Sequence, residues 1–197
     1  MGFGDLSSVV DVHLTSFRGF FLSSMGARFL SEFYDSVLLD ETHIALVYLI
    51  GEAISGFVVG TTQPAGFYRR TLKRNWHGFL IAAIPVILQK PFMTLRLLRR
   101  LVMATGAAFE NDQALLMSIA VNPNEQGKGI GGQLIEEFLK DVKSRGCSSV
   151  VLTTDAANNN LVNRFYIGMG FRLLYTFTTP EDRQMNEYVY ELIKLQK

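Results

Sequence analysis

Met117-Ser118-Ile119-Ala120-Val121-Asn122-Pro123-Asn124-Glu125-Gln126-Gly127-Lys128-Gly129-Ile130-Gly131-Gly132-Gln133-Leu134 is the stretch that decides the fold. A β-prone run ends at Val121, Asn122-Pro123 interrupts it, and glycines crowd the approach to an apolar-periodic segment that opens at about Ile130. The order reads as strand, turn, helix. Glycine lets backbone N–H groups approach a ligand without a side chain in the way. A helix N-terminus adds unpaired donors and the positive end of the helix dipole. The turn from Gln126 through Gly127, Lys128, Gly129, Ile130 and Gly131 to Gly132 therefore suits a pyrophosphate. Glycine-rich turns also serve tight packing alone, so spacing has to decide.

Spacing excludes one familiar phosphate loop and makes another the weaker reading. The chain has no Gly-x-x-x-x-Gly-Lys-Ser/Thr, so this is not a P-loop. Gly127, Gly129 and Gly132 do satisfy Gly-x-Gly-x-x-Gly. That motif normally follows the first strand of a dinucleotide fold, however, and no second half of such a fold remains after it.

Working outward, Ala114–Val121 is a strand and the helix after the turn runs to about Ser144. Ser149–Thr154 is β-branched and reads as a strand, Asn158–Gly168 as a helix, and 171–178 and 185–193 as two last strands. Upstream, residues 9–17 and 25–40 read as helices, joined by the apolar link Phe20-Phe21-Leu22. His43–Leu49 and Ile54–Gly60 read as strands around a turn at Gly51-Glu52. Residues 63–110 are aromatic, basic and interrupted by Pro64, Pro85 and Pro91, and read as a helical insertion in two pieces, about 66–88 and 91–104. Helices, a hairpin, then β-α-β-α-β-β predict one α/β domain over 1–197, a mixed sheet covered by helices.

With 197 residues the chain is long enough for one substantial core. Apolar residues at 48% and charged residues at 19% exclude a disordered or collagen-like chain. A single cysteine, Cys147, excludes an intrachain disulfide framework and fits a reducing, cytoplasmic compartment. The N-terminus has no signal-peptide pattern and lacks the hydroxyl residue of a myristoylation signal. The apolar run Phe79–Leu88, broken by Pro85, is too short to span a bilayer.

Two motifs resemble the GNAT superfamily of N-acetyltransferases. Gln126, Gly129 and Gly131 match its Gln/Arg-x-x-Gly-x-Gly/Ala, preceded here by Val121-Asn122-Pro123. Asn159, Val162, Tyr166 and Gly170-Phe171 match its second signature, with valine where alanine is commoner. The match covers about 80 residues well, and the N-terminal half only by element order. The resemblance implies a mixed, mostly antiparallel sheet that splays between the strands at 114–121 and 149–154. It implies an acetyl-CoA cosubstrate and no metal. Backbone groups of Ile119, Ala120 and Val121 would hold the pantetheine arm, amides from Gln126 to Gly132 the pyrophosphate, and Asn159 the pantetheine. Tyr166 would protonate the departing thiolate. A homodimer is compatible with it. The family's first strand should precede residue 5, where almost no chain is available.

No carboxylate lies on the strand before the turn. Glu110, Asp112, Asp155, His43 and His77 are the remaining base candidates, each more simply read as a surface or structural group. A lysine-like amine is about one part in a few thousand neutral at pH 7, whereas an α-amino-like one near pKa 8 needs less help. The missing acid therefore disfavours lysine side chains. Cys147, at a strand start, is not a nucleophile on this reading.

Charge is unevenly spread. Ala53 to Phe109 contains no acid and eight bases: Arg69, Arg70, Lys73, Arg74, Lys90, Arg96, Arg99 and Arg100. A solvated face, an anionic acceptor, or peripheral contact with an anionic membrane through 66–104 would each account for this. Nucleic acid is not expected, because the bases are mixed with long aliphatic runs. The N-terminal run from His13 to Leu22, with Gly26 and Phe29–Tyr34, further resembles GNAT proteins associated with bacterial surface-polysaccharide synthesis. The expected activity is acetyl transfer to a small-molecule primary amine, foremost an amino sugar of a surface-glycan precursor. A peptide, polyamine or aminoglycoside amine, or a non-catalytic CoA-binding module, are the alternatives.

Overall fold

A strand with a continuous apolar run is buried on both faces. Ala53–Thr61, with Phe57-Val58-Val59 at its centre, is such a strand: Phe57 and Val59 enter one core and Val58 the other. It is β2 of a six-stranded sheet in the computed structural model, which describes residues 1–89, 112–180 and 182–192. The strands are β1 (His43–Ile50), β2, β3 (Gln113–Val121), β4 (Ser149–Asp155), β5 (Arg172–Thr178) and β6 (Gln184–Glu191), in the order β1-β2-β3-β4-β6-β5. Neighbours are antiparallel except β3 and β4. The fold is thus α/β with a mixed, mostly antiparallel sheet flanked by helices.

Helices α1 (Leu6–Ser16), α2 (Phe21–Ser24) and α3 (Gly26–Leu38) precede the sheet. In α3, Phe29, Leu30, Phe33, Tyr34 and Val37 recur at helical spacing and are buried, and with Val9, Val10 and Val12 of α1 they pack against Phe57 and Val59. On the other sheet face α6 (Ile130–Ser144) buries Leu134, Ile135 and Phe138 against Ile44 and Val58. That approach is close at Gly60, where a Cβ would lie 2.5 Å from the Phe138 ring and collide with the Leu115 carbonyl. Glycine there lets the helix seat.

The elements expected from the sequence are present to within three residues at each end, with local differences. The link at 20–22 folds into the one-turn α2. The piece expected at 66–88 divides into α4 (Phe67–Arg74) and α5 (Trp76–Gln89), because Asn75 leaves the helical region at φ −127°, ψ 39°. The piece expected at 91–104, with Lys90, Arg96, Arg99, Arg100 and Glu110, lies outside the described residues. No strand precedes β1 among the described residues. Phe3–Asp5 forms a single 3-10 turn, and the Met1 amino group donates to the Ala45 carbonyl on β1 at 3.2 Å.

Strands β3 and β4 pair only through Gln113, Ala114 and Leu115 with Ser149, Val150 and Val151. Beyond that, β3 stays with β2 as far as Val121, and β4 stays with β6 as far as Asp155. The strands part, and a gap opens in the middle of the sheet.

Candidate active site

Strand alternation determines which backbone groups face the gap. The Asn122 N–H donates to the Ser55 carbonyl at 2.8 Å, toward β2. Ala120 and Ser118 share that direction by the two-residue period, so the N–H and C=O of Ile119 and Val121 turn the other way, into the gap. The Val121 carbonyl already accepts from Ser16 Oγ at 3.2 Å and, more weakly, from Gln126 Nε2 at 3.4 Å. Ile119 keeps both groups for a ligand that pairs as an added strand.

Below this edge the turn supplies donors. Asn122 Oδ1 accepts from the Asn124 N–H at 3.0 Å and fixes the 3-10 turn Pro123–Glu125. Gly127 and Gly129 have φ of +79° and +80°, a region where residues with a Cβ are strained. The first bond of α6 runs from the Gln133 N–H to the Gly129 carbonyl. The amides of Ile130, Gly131 and Gly132 therefore have no acceptor within the helix, and no side chain caps them. They form a ready anion site. The Lys128 side chain turns aside, its ammonium paired with Glu125 at 2.6 Å.

The opposite wall comes from β4 and α7 (Asn160–Gly168). Asn159 Nδ2 donates to Thr154 Oγ1 at 2.9 Å and to the Asp155 carbonyl at 3.1 Å, which leaves Oδ1 for a ligand. Asn163 is the hub behind it. Its Nδ2 donates to the Asp155 and Asn159 carbonyls, and its Oδ1 accepts from Asn186 and Tyr188 at 2.9 Å each. Sequence reading missed Asn163, because its partners lie up to 25 residues away. Tyr166 is 5% exposed, with its ring among Phe165, Phe171 and Tyr188. Burial alone pushes its phenol well above the usual value, so it stays protonated at physiological pH.

These walls enclose a cleft of about 760 Å³. Ile119, Ala120, Val121, Gln126, Gly127, Gly129, Ile130, Gly131, Gly132, Asn159 and Tyr166 all line it. Of the base candidates within the described residues only Asp155 does, and Arg183 holds its carboxylate through two contacts of 2.7 and 2.8 Å. His43 and His77 lie elsewhere, as does Cys147, whose thiol burial pushes up. None of Arg69, Arg70, Lys73 and Arg74 lines the cleft. Arg70 is tied to Asp40 and to the carbonyls of Gln63 and Ala65, and Arg74 to the Leu39 carbonyl. No group of three or more His, Cys, Asp or Glu able to hold a metal occurs among the described residues.

A strand edge opening on a glycine turn, with a protonated tyrosine across the gap, is an arrangement for an extended anionic cofactor. The sequence matches the model of the acetyltransferase (GNAT) family over residues 6–171. The chain belongs to this family. It is accordingly an acyltransferase that uses acetyl-CoA. A comparison with curated proteins returns no match. Among solved structures, the fold is similar to a GNAT-family acetyltransferase from Desulfovibrio desulfuricans (TM-score 0.64, 18% identity, covering 95% of this chain and 92% of that one). It is also similar to the ribosomal-protein-alanine N-acetyltransferase from Escherichia coli (TM-score 0.62, 14% identity, covering 100% and 94%). A third is the PaiA N-acetyltransferase from Thermoplasma acidophilum in complex with coenzyme A (TM-score 0.58, 15% identity, covering 96% of each chain). At these identities the likeness is one of fold.

Proposed function

We propose that this enzyme transfers the acetyl group of acetyl-CoA to the primary amine of an amino sugar in surface-glycan synthesis. The observation that carries the acetyl-transfer reading is the gap itself. The free β3 edge at Ile119, the amides of Ile130 to Gly132 and the phenol of Tyr166 face one cleft. The pyrophosphate binds at the turn, the pantetheine arm pairs along β3 and meets Asn159, and the thioester reaches Tyr166. The amine nitrogen attacks the thioester carbon, the C–N bond forms and the C–S bond breaks. Its electron pair goes to sulfur, which takes the Tyr166 proton, while the nitrogen loses its own. Support for an amine of low basicity is the state of the cleft carboxylates: Asp155 is paired with Arg183 and Glu125 with Lys128. The resemblance of the 13–34 segment supports the amino-sugar class.

Free-thiol release on mixing with acetyl-CoA and a panel of amines tests this. Amino sugars should give the highest kcat/KM. Release only with peptides, polyamines or aminoglycosides would move the acceptor to that class. Acetyl-CoA binding without release for any amine would make the chain a non-catalytic CoA-binding module.

A second reading concerns location. No helix among the described residues is long and apolar enough to cross a membrane. However, α5 exposes Trp76, Leu80, Ile81, Ile84 and Leu88, the last at 79%, directly after α4 with its exposed Arg69 and Lys73. An apolar stripe beside bases supports peripheral contact with an anionic membrane. The protein should sediment with anionic vesicles and not with neutral ones. Replacing Arg69 and Lys73 by alanine should weaken this by about 1 kcal/mol per residue. Absence of sedimentation at low salt would remove the reading.

A further inference from the structure

The acetyl-transfer chemistry above leaves one cleft group unused. His13 on α1 is 2% exposed, yet it lines the cleft. Its Nδ1 lies 2.7 Å from Tyr34 Oη, and Tyr34 is hydrogen-bonded in turn to Ser118, the residue before Ile119 on β3. Phe17 leans on the imidazole at 4.7 Å and Phe57 stacks with it at 6.3 Å. Its Nε2 has no hydrogen-bond partner among the described residues. A buried polar atom left unpaired is costly, and one on a residue that lines a ligand cleft has a reason to be kept free.

The sheet shows which side of the reaction this nitrogen serves. Helix α6, with its N-terminal amides, packs on one face, while α1 and α3 pack on the other with Phe57 and Ala120. A cofactor anchored at α6, with its arm along the β3 edge, delivers the thioester through the gap toward the α1 face. The acceptor amine must arrive on that face, where His13 stands.

We propose that His13 receives the proton of the acceptor amine, through Nε2, as the C–N bond forms. Nδ1–H then donates to Tyr34 Oη, which leaves the imidazole lone pair on Nε2. The assignment rests on the acetyl-transfer reading and adds a substrate limit to it. Burial lowers the imidazole pKa to about 4, so the ring is neutral at physiological pH. It stands about six units below a lysine-like ammonium and cannot deprotonate one before attack. It is competent for a later proton. As the C–S bond breaks, the new C–N nitrogen becomes that of an N-protonated amide, a strong acid, and a weak base suffices. The N–H electron pair stays on nitrogen to complete the amide, His13 becomes imidazolium, and water takes its proton after the product leaves. The accepted class is therefore an amine that enters neutral, with a pKa near about 8 or below, as α-amino groups have.

The experiment compares wild type, His13→Gln and His13→Ala for kcat, acetyl-CoA affinity and melting temperature, using the amine that wild type turns over best. Expected is a fall in kcat of about 10²–10³-fold in His13→Gln with acetyl-CoA affinity retained. His13→Ala should regain activity with added imidazole. Among acceptors of similar shape, wild-type kcat/KM at pH 7 should fall as the ammonium pKa rises. Unchanged kcat in a folded, acetyl-CoA-binding His13→Gln variant overturns the assignment alone. So does a loss that tracks the melting temperature and ignores imidazole, which is what a structural role predicts. No thiol release by wild type with any amine sinks both readings together.

Discussion

A Gly129→Val variant is expected to fold and to lose measurable acetyl-CoA binding. Gly129 sits at φ +80°, immediately before the first residue of α6, and open space surrounds the position of its missing Cβ. The defect is therefore conformational rather than a collision. A β-branched residue is strained at that φ by about 1–3 kcal/mol, and the turn escapes by moving. That movement re-aims the amides of Ile130, Gly131 and Gly132. Two charge-assisted bonds lost at about 1.5–3 kcal/mol each weaken binding by roughly 10²–10⁴-fold. Isothermal titration with acetyl-CoA reads the loss, and circular dichroism checks the fold. Retained affinity in a folded variant would remove the turn from the cofactor site. Gly131→Val acts differently, since its Cβ would meet the Phe165 ring at 3.4 Å on the far wall. It should narrow the cleft without straining the turn.

The residues proposed for the cofactor half of the candidate site stand out in the sequence because their signals are local. Asn122-Pro123 stops β3, Gly127 and Gly129 take the positive φ that other residues avoid, and Ile130 starts an amphipathic helix, all within nine residues. The spacing of Asn159 to Tyr166 is likewise a property of one helix and its cap. The acceptor half is assembled from distant segments. Ser16 meets Val121 across 105 positions, His13 meets Tyr34 across 21, and Arg183 meets Asp155 across 28. No periodicity announces such contacts, so His13 stood in the sequence only as the first residue of the run to Leu22. Charge composition is silent on pairing for the same reason. Arg70 and Arg74 counted among the bases of the insertion, and the fold ties Arg70 to Asp40 and the Ala65 carbonyl and Arg74 to the Leu39 carbonyl.

Replacing Tyr166 by phenylalanine should lower kcat by about 10²–10⁴-fold while acetyl-CoA affinity changes little. The substitution removes one oxygen and keeps the ring that Phe165, Phe171 and Tyr188 enclose, so the core on that side of the sheet is preserved. Within the described residues the hydroxyl makes no hydrogen bond to lose, and the melting temperature should hold. What disappears is the only proton donor proposed for the departing thiolate. The pH dependence carries the sign. Burial raises the phenol above its ordinary value, so Tyr166 is protonated from roughly pH 6 to 9 and gives the wild type no downturn in that range. In the variant the leaving sulfur must take its proton from solvent. Acceptors should then show a kcat deficit set by thiolate departure, and an acyl donor with a more acidic thiol should recover part of the rate. A kcat close to wild type with ordinary acetyl-CoA would leave Tyr166 as a core ring beside the gap. A deficit that stays the same with the better leaving group would show that its hydroxyl acts somewhere other than at the C–S bond.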